Sequence, residues 1–262
     1  MTPASGWFIA LVAMLGLVMG SAVSALAWRL PRGRSWVRGR SCCPACGAIL
    51  RPADLIPLVS FVASRGKCRH CGHPIGWRYP LTELLCGTWA VLTFRELGWT
   101  TAFPLVAVWG FLMVALMWID LDFQLLPDAL TLPGTLLSLA VVLPRPGGPR
   151  HALLGLLIGS GLLWLLGWGY LKLRKTEGMG GGDIKLAAMF GVLLGWKLSL
   201  LTLFLAALAG SLWGAVLMAR RLGTGQTALP FGTLLSPAAM VAYLWGEGWM
   251  RAYVSVFSTR GP

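Results

Sequence analysis

Apolar residues in this chain fall in long continuous runs broken by short polar or basic stretches, not in helical stripes. The runs cover residues 7–28, 81–97, 103–119, 129–143, 152–171, 184–195, 198–218 and 234–249. Most are roughly 16 to 22 residues long, enough for a helix to cross the hydrocarbon core of a bilayer. They contain Gly, Ser and Trp and few charges, whereas barrel strands would be shorter and would alternate in polarity. The pattern predicts an all-α polytopic membrane protein with about eight transmembrane helices. The fourth and sixth runs are short, and the sixth lies close enough to the seventh to merge with it. No basic segment precedes the first run, which is expected to be retained as a span and not removed as a signal peptide.

Composition agrees with this picture. Hydrophobic residues make up 56% of the 262, charged residues only 12%, and mean hydropathy is +0.72, values that exclude a soluble domain. The net charge of +13 is unevenly placed. Ten Lys and Arg lie between Arg29 and Arg78 against a single acid, Asp54, which predicts a cytoplasmic loop over 29–78. Eight alternating spans then bring Lys172–Lys175 and Arg220–Arg221 to the same face, while Arg145 and Arg150 fall on the other. Topology alone accounts for such a loop, and so does attraction to anionic lipid heads. Nucleic acid is not an expected partner, because the basic residues are not interleaved with base-stacking aromatics.

The same loop contains Cys43-Pro-Ala-Cys46 and Cys68-Arg-His-Cys71. Each short knuckle offers two thiolates, and four thiolates saturate a structural Zn²⁺ site. A reducing cytoplasm disfavours disulfides, though redox-active or idle thiols would fit the same spacing. Cys42 and Cys86 stand outside the two pairs, and His70 and His73 beside the second pair are read as surface histidines. A metal would supply folding energy to a loop with little core of its own.

Only nine carboxylates occur, and five cluster in two places. Asp120, Asp122 and Asp128 lie in "WIDLDFQLLPD", and Glu177 and Asp183 in "EGMGGGD". Charged groups at the edge of a bilayer are costly and point to function. Two aspartates brought together can hydrolyse a peptide bond: one carboxylate takes a proton from water while the other donates to the carbonyl oxygen. The pair titrates as a unit. Gly178, Gly180, Gly181 and Gly182 would keep the approach to Asp183 bare for an extended substrate backbone, although an aspartate after a glycine turn also suits a helix N-cap. A phosphate-cradling loop is excluded by the aspartate at its mouth and the missing G-x-x-x-x-G-K-[ST]. Asp128, after Pro127, reads as an N-cap; Asp122 as a loop charge or electrostatic helper. Lys185 would either snorkel to the interface or hold a carboxylate ionised.

These stretches together resemble the type IV prepilin peptidases, or leader peptidase/N-methyltransferases, aspartic proteases of bacterial inner membranes with a G-x-G-D motif. "RLPRG", both cysteine knuckles, "DLIPLVS", "YPLTELLCG", "WIDLDFQLLPDALTLP", "GMGGGDIKLAAM" and "PFG" occur in the family's order. The resemblance implies Asp120 and Asp183 as the catalytic pair and Cys43, Cys46, Cys68 and Cys71 as the metal set. It implies cleavage of the basic leader of prepilins or pseudopilins after a glycine at the cytoplasmic face. It also implies methylation of the new N-terminus with S-adenosylmethionine, associated with Gly66, Lys67 and Glu83. The implied organisation is residues 1–98 with the zinc and methyltransferase loop, then 99–262 as the peptidase core.

Ala22 and Ser24 stand where the family often has an aromatic residue and asparagine, and Thr233 where proline is common. The first departure bears on methyl transfer, so a peptidase without that activity is an alternative. From another class, a zinc-stabilised transporter or assembly scaffold would use interfacial carboxylates to bind cations. The runs show no clear inverted repeat, and the carboxylates lie at the edge and not at the midplane. No S-adenosylmethionine fingerprint of the glycine-rich Rossmann type is present, and oligomeric state leaves no trace in the sequence.

Overall fold

The computed structural model describes residues 6–35, 38–176, 180–222 and 229–258. The described residues are helical except for loops and two isolated antiparallel bridges, Cys42 with Ile49 and Lys67 with Pro74. The helices are α1 (Gly6–Arg29), α2 (Val59–Ala63), α3 (Arg78–Leu97), α4 (Ala102–Phe123), α5 (Asp128–Val142), α6 (Gly148–Arg174), α7 (Gly181–Ala219) and α8 (Phe231–Ser258). Gly6–Arg32, α4, α6 and α7 are long and apolar enough to cross a membrane, and α5 is a shorter apolar helix. Exposed Trp, Leu and Phe side chains along these helices leave the chain no aqueous solution for its surface. This is an integral membrane protein.

The chain divides into two compact units, Met1–Ala115 and Leu116–Pro262. In the first, α1 packs on α3 along small residues. A Cβ on Gly20 would stand 2.5 Å from Glu83 Cα, and one on Gly16 would stand 2.9 Å from Gly87 Cα. Such close backbone approach is how helices associate where lipid offers no hydrophobic drive. Trp89 of α3 donates its indole N–H to the Val106 carbonyl at 3.1 Å, satisfying a buried donor.

In the second unit, α6 and α7 meet the same way, through Gly155 and Gly159 on one side and Gly191 on the other. The α7 segment is not one rod. Gly195 has φ 72 and ψ 178, which only glycine adopts without strain. A Cβ on Gly159 would touch both the Ala187 carbonyl, at 2.9 Å, and Ser199 Oγ, at 3.6 Å. A straight helix would hold those residues about 18 Å apart. The chain therefore folds back at Gly195, and the sixth and seventh predicted runs are separate helices that share one residue as their connection. His151 of α6 closes the break, its Nε2 lying 3.2 Å from the Leu193 carbonyl that the kink exposes.

Candidate active site and metal centre

Asp120 lies in the last turn of α4, only 5% exposed. The helix stops because Gln124 turns left-handed (φ 50) and gives its N–H to the Asp120 carbonyl at 2.8 Å. Leu125, Leu126 and Pro127 then carry the chain into α5. Asp183 is the third residue of α7, half-buried, after an extended Gly180. The two carboxylates are near enough for their charges to interact. Both line one cavity of about 560 Å³, whose wall also includes Gln124, Asp128, Lys185 and glycines 180 to 182. Among the described residues a Cβ on Gly181 would meet nothing within 4 Å, whereas one on Gly182 would press on Leu126 Cβ at 2.9 Å. Glu177 and Gly178 lie outside the described residues.

Asp120 is held from α8. Its Oδ2 accepts the Thr233 backbone N–H at 2.7 Å and stands 3.1 Å from Thr233 Oγ1. A Cβ on Gly232 would come within 3.0 Å of the same carboxylate. The carboxylate thus sits at a helix N-terminus, where backbone N–H groups have no partner of their own. In the sequence Thr233 stands out only as a departure from a pattern. Its partner is 113 positions away, and nothing local announces it.

Two capping expectations are corrected. Pro127 occupies the N-cap of α5, with Asp128 the first helical residue, and no side chain caps that end. Gly180 occupies the N-cap of α7, so Asp183 is not the cap either. Asp128 instead forms an ion pair with Lys185, Nζ lying 2.7 and 2.8 Å from its two oxygens. Lys185 therefore serves Asp128, not the carboxylate pair. Asp122 is exposed and stands outside the cavity lining.

The four predicted cysteines converge, their sulfurs all within 4.8 Å of one another. Cys43 and Cys71 Sγ are 3.9 Å apart, near the roughly 3.8 Å edge of a tetrahedral zinc–sulfur site with bonds of about 2.3 Å. The two knuckles repeat one geometry. Gly47 and Gly72, each with φ +71, give their N–H to the Cys43 and Cys68 carbonyls at 2.9 Å. Backbone N–H groups of Cys46 and Ala45 lower the Cys43 thiol to about 6. The His73 N–H pulls Cys71 down, but burial and the three neighbouring sulfurs outweigh it and push Cys71 up to about 12. A divalent cation suits four converging thiolates at once, and the donor set fits zinc. Cys42 is exposed and Cys86 buried, each outside the cluster. Asp54 ties this region together through Arg69 at 3.0 Å.

A second cavity, about 710 Å³, lies beside the cysteines and is lined in part by Ser21, Ser24, Trp28, Lys67, Tyr79 and Glu83. Glu83 is 9% exposed and accepts the Leu58 N–H at 2.8 Å, fixing a residue with φ 59 and ψ −46. Gly66 does not line the cavity; its φ is +67 and its bare Cα faces the Phe61 ring. Ser24 turns its hydroxyl back to the Gly20 carbonyl at 3.1 Å, and Ala22 is exposed away from the cavity.

Paired carboxylates in a cavity of a polytopic helical protein define a candidate membrane aspartic protease, and comparison with known proteins makes the family specific. Residues 14–97 match the bacterial peptidase A24 N-terminal domain, and residues 105–215 match the type IV leader peptidase family. The chain belongs to the type IV leader peptidase family. It is 36% identical to the prepilin leader peptidase/N-methyltransferase of Pseudomonas aeruginosa over 94% of this chain and 93% of that protein. It is 36% identical to the one of Aeromonas hydrophila over 95% of each. The Aeromonas salmonicida protein is 40% identical over 82% of this chain and 75% of its own length. No solved structure matches the chain.

Proposed function

We propose that this protein cleaves the short basic leader of type IV prepilins and pseudopilins after glycine, at the cytoplasmic face of the bacterial inner membrane. The observation that carries the reading is the meeting of Asp120 and Asp183, from α4 and α7, on one cavity. The pair shares one proton. The ionised member takes a proton from water as the water oxygen bonds to the scissile carbonyl carbon, and the protonated member donates to the carbonyl oxygen. Collapse breaks the C–N bond, with a proton passing from the pair to the leaving amine. Glycines 180 to 182 form the bare wall along which the substrate backbone lies, and Asp128 with Lys185 borders it. A basic leader before an apolar helix would hold the cleavage site at the membrane boundary. Cytoplasmic orientation rests on the basic residues of 29–78 and on Lys172, Arg174 and Lys175 just before the glycine run.

The second activity in this reading is methylation of the newly exposed N-terminal amine. S-adenosylmethionine would supply an electrophilic methyl group, and the 710 Å³ cavity falls within the size range of small-molecule sites. There Lys67 and Glu83 supply charge at the wall, and Glu83 also secures the Leu58 turn. Gly66 contributes the turn that sets Lys67. Zinc on Cys43, Cys46, Cys68 and Cys71 would staple the two knuckles beside this cavity. In this reading residues 1–98 carry methyl transfer, residues 99–262 carry proteolysis, and eight helical rods span the bilayer, two of them meeting at Gly195.

The test uses purified protein in liposomes, a prepilin and labelled S-adenosylmethionine, with mass spectrometry of the product. A product cut after glycine and carrying one methyl is expected, with cleavage lost in Asp120→Ala and Asp183→Ala. Cleavage without a methyl group would support a peptidase alone, with Ser24 and Ala22 the first residues to restore to the family pattern. No cleavage by the zinc-loaded wild type would overturn the reading in favour of a transporter or scaffold.

A further inference from the structure

We propose that Thr233 is a positioning residue that clamps Asp120 in one orientation, so that the two aspartates of the pair are unequal before substrate arrives. The inference rests on the peptidase reading above. Two donors from one residue converge on a single oxygen, Asp120 Oδ2: the backbone N–H at 2.7 Å and the hydroxyl at 3.1 Å. The hydroxyl has one proton, and the Met117 carbonyl at 3.2 Å competes for it. Donating to the carboxylate is the stronger use, because a charged acceptor strengthens the bond.

The clamp comes from the first turn of α8, whose backbone N–H groups are otherwise unpaired. Gly232 allows it, since any Cβ there would crowd the carboxyl carbon at 3.0 Å. With Oδ2 committed to α8, Asp120 Oδ1 is the oxygen left for water or peptide. Asp183 differs: among the described residues no hydrogen-bond donor reaches its carboxylate. Among the described residues, one member of the pair is held by hydrogen bonds and the other is not. A proline at position 233 would offer neither donor.

The experiment compares wild type, Thr233→Val, Thr233→Ser and Asp120→Ala on a prepilin in liposomes, measuring kcat and KM separately, with a melting curve for each. Thr233→Val keeps the shape and the N–H but removes the hydroxyl. Its kcat should fall about tenfold, the order of one hydrogen bond to a charged group, with KM within about twofold and the melting temperature held. Thr233→Ser should return kcat to within about twofold of wild type. A merely structural threonine would lower the melting temperature without a selective loss of kcat. Wild-type kcat in Thr233→Val, or an effect confined to KM, overturns the clamp while inactive Asp120→Ala leaves the peptidase reading standing. Full activity in Asp120→Ala overturns both.

Discussion

Gly181→Leu tests whether the glycine run serves substrate access or only chain geometry. Gly181 is the first residue of α7, its φ lies in the range ordinary residues adopt, and a Cβ there meets nothing within 4 Å among the described residues. Leucine is a better helix former than glycine by up to about 0.8 kcal/mol, so the folded state should be as stable as before or slightly more so. The same side chain would project along the wall of the cavity that holds Asp120 and Asp183. Displacing a scissile bond by about 1 Å costs on the order of 100-fold in rate, equivalent to about 2.7 kcal/mol of transition-state stabilisation. We therefore expect kcat/KM for prepilin cleavage to fall at least about 100-fold, with no loss in melting temperature. Gly182→Ala is the contrasting variant, because its Cβ must displace Leu126 at 2.9 Å and should disturb the wall itself. Wild-type cleavage by a folded Gly181→Leu protein would refute the access argument and leave the glycines a role in the turn alone.

Asp183→Asn should reduce cleavage by roughly 10²- to 10⁴-fold, the usual worth of a general acid or base, while methylation of a pilin already cut continues; loss of both activities together would point to misfolding instead. Zinc binding should depend on pH with a definite sign. The metal-free Cys43 thiolate is present above about 6 and is lost as pH falls through that value, so binding should release one more proton per metal below pH 6 than above it. Competition with a chelator across pH 5 to 8 reads this out, and an unchanged slope would contradict it. Gly20→Ala places a Cβ 2.5 Å from Glu83 Cα, where backbone must move; overpacking of this kind should cost about 1–3 kcal/mol, seen as a lower melting temperature of the purified protein.

What the sequence announced and what it withheld divide along chain separation. The cysteine cluster was legible because each knuckle is closed within five residues by a left-handed glycine, and because four thiols at that spacing have few other uses. Long apolar runs marked the helices, and the short sixth run ending at Gly195 foreshadowed the fold-back. The capping assignments failed for a different reason: Pro127 and Gly180 fill the cap positions backbone-first, leaving Asp128 and Asp183 one and three residues inside their helices. Thr233 and the Glu83–Leu58 bond were out of reach, since each joins residues that only packing brings together. Asp120 and Asp183 could be paired on chemistry, but their common cavity is a property of the folded unit.

The fold-back at Gly195 also sets a length. Residues 181–194, at 1.5 Å each, rise only about 21 Å, and the 15 residues of α5 rise about 22 Å. Both helices begin at the carboxylate cavity. A hydrocarbon core is about 30 Å thick, so in the eight-span reading the bilayer around these two helices would thin or admit water to make up the shortfall. A hydrolase needs a path for water to a bond held at the edge of oil, and two stunted helices would dig that well at the place where the aspartates stand.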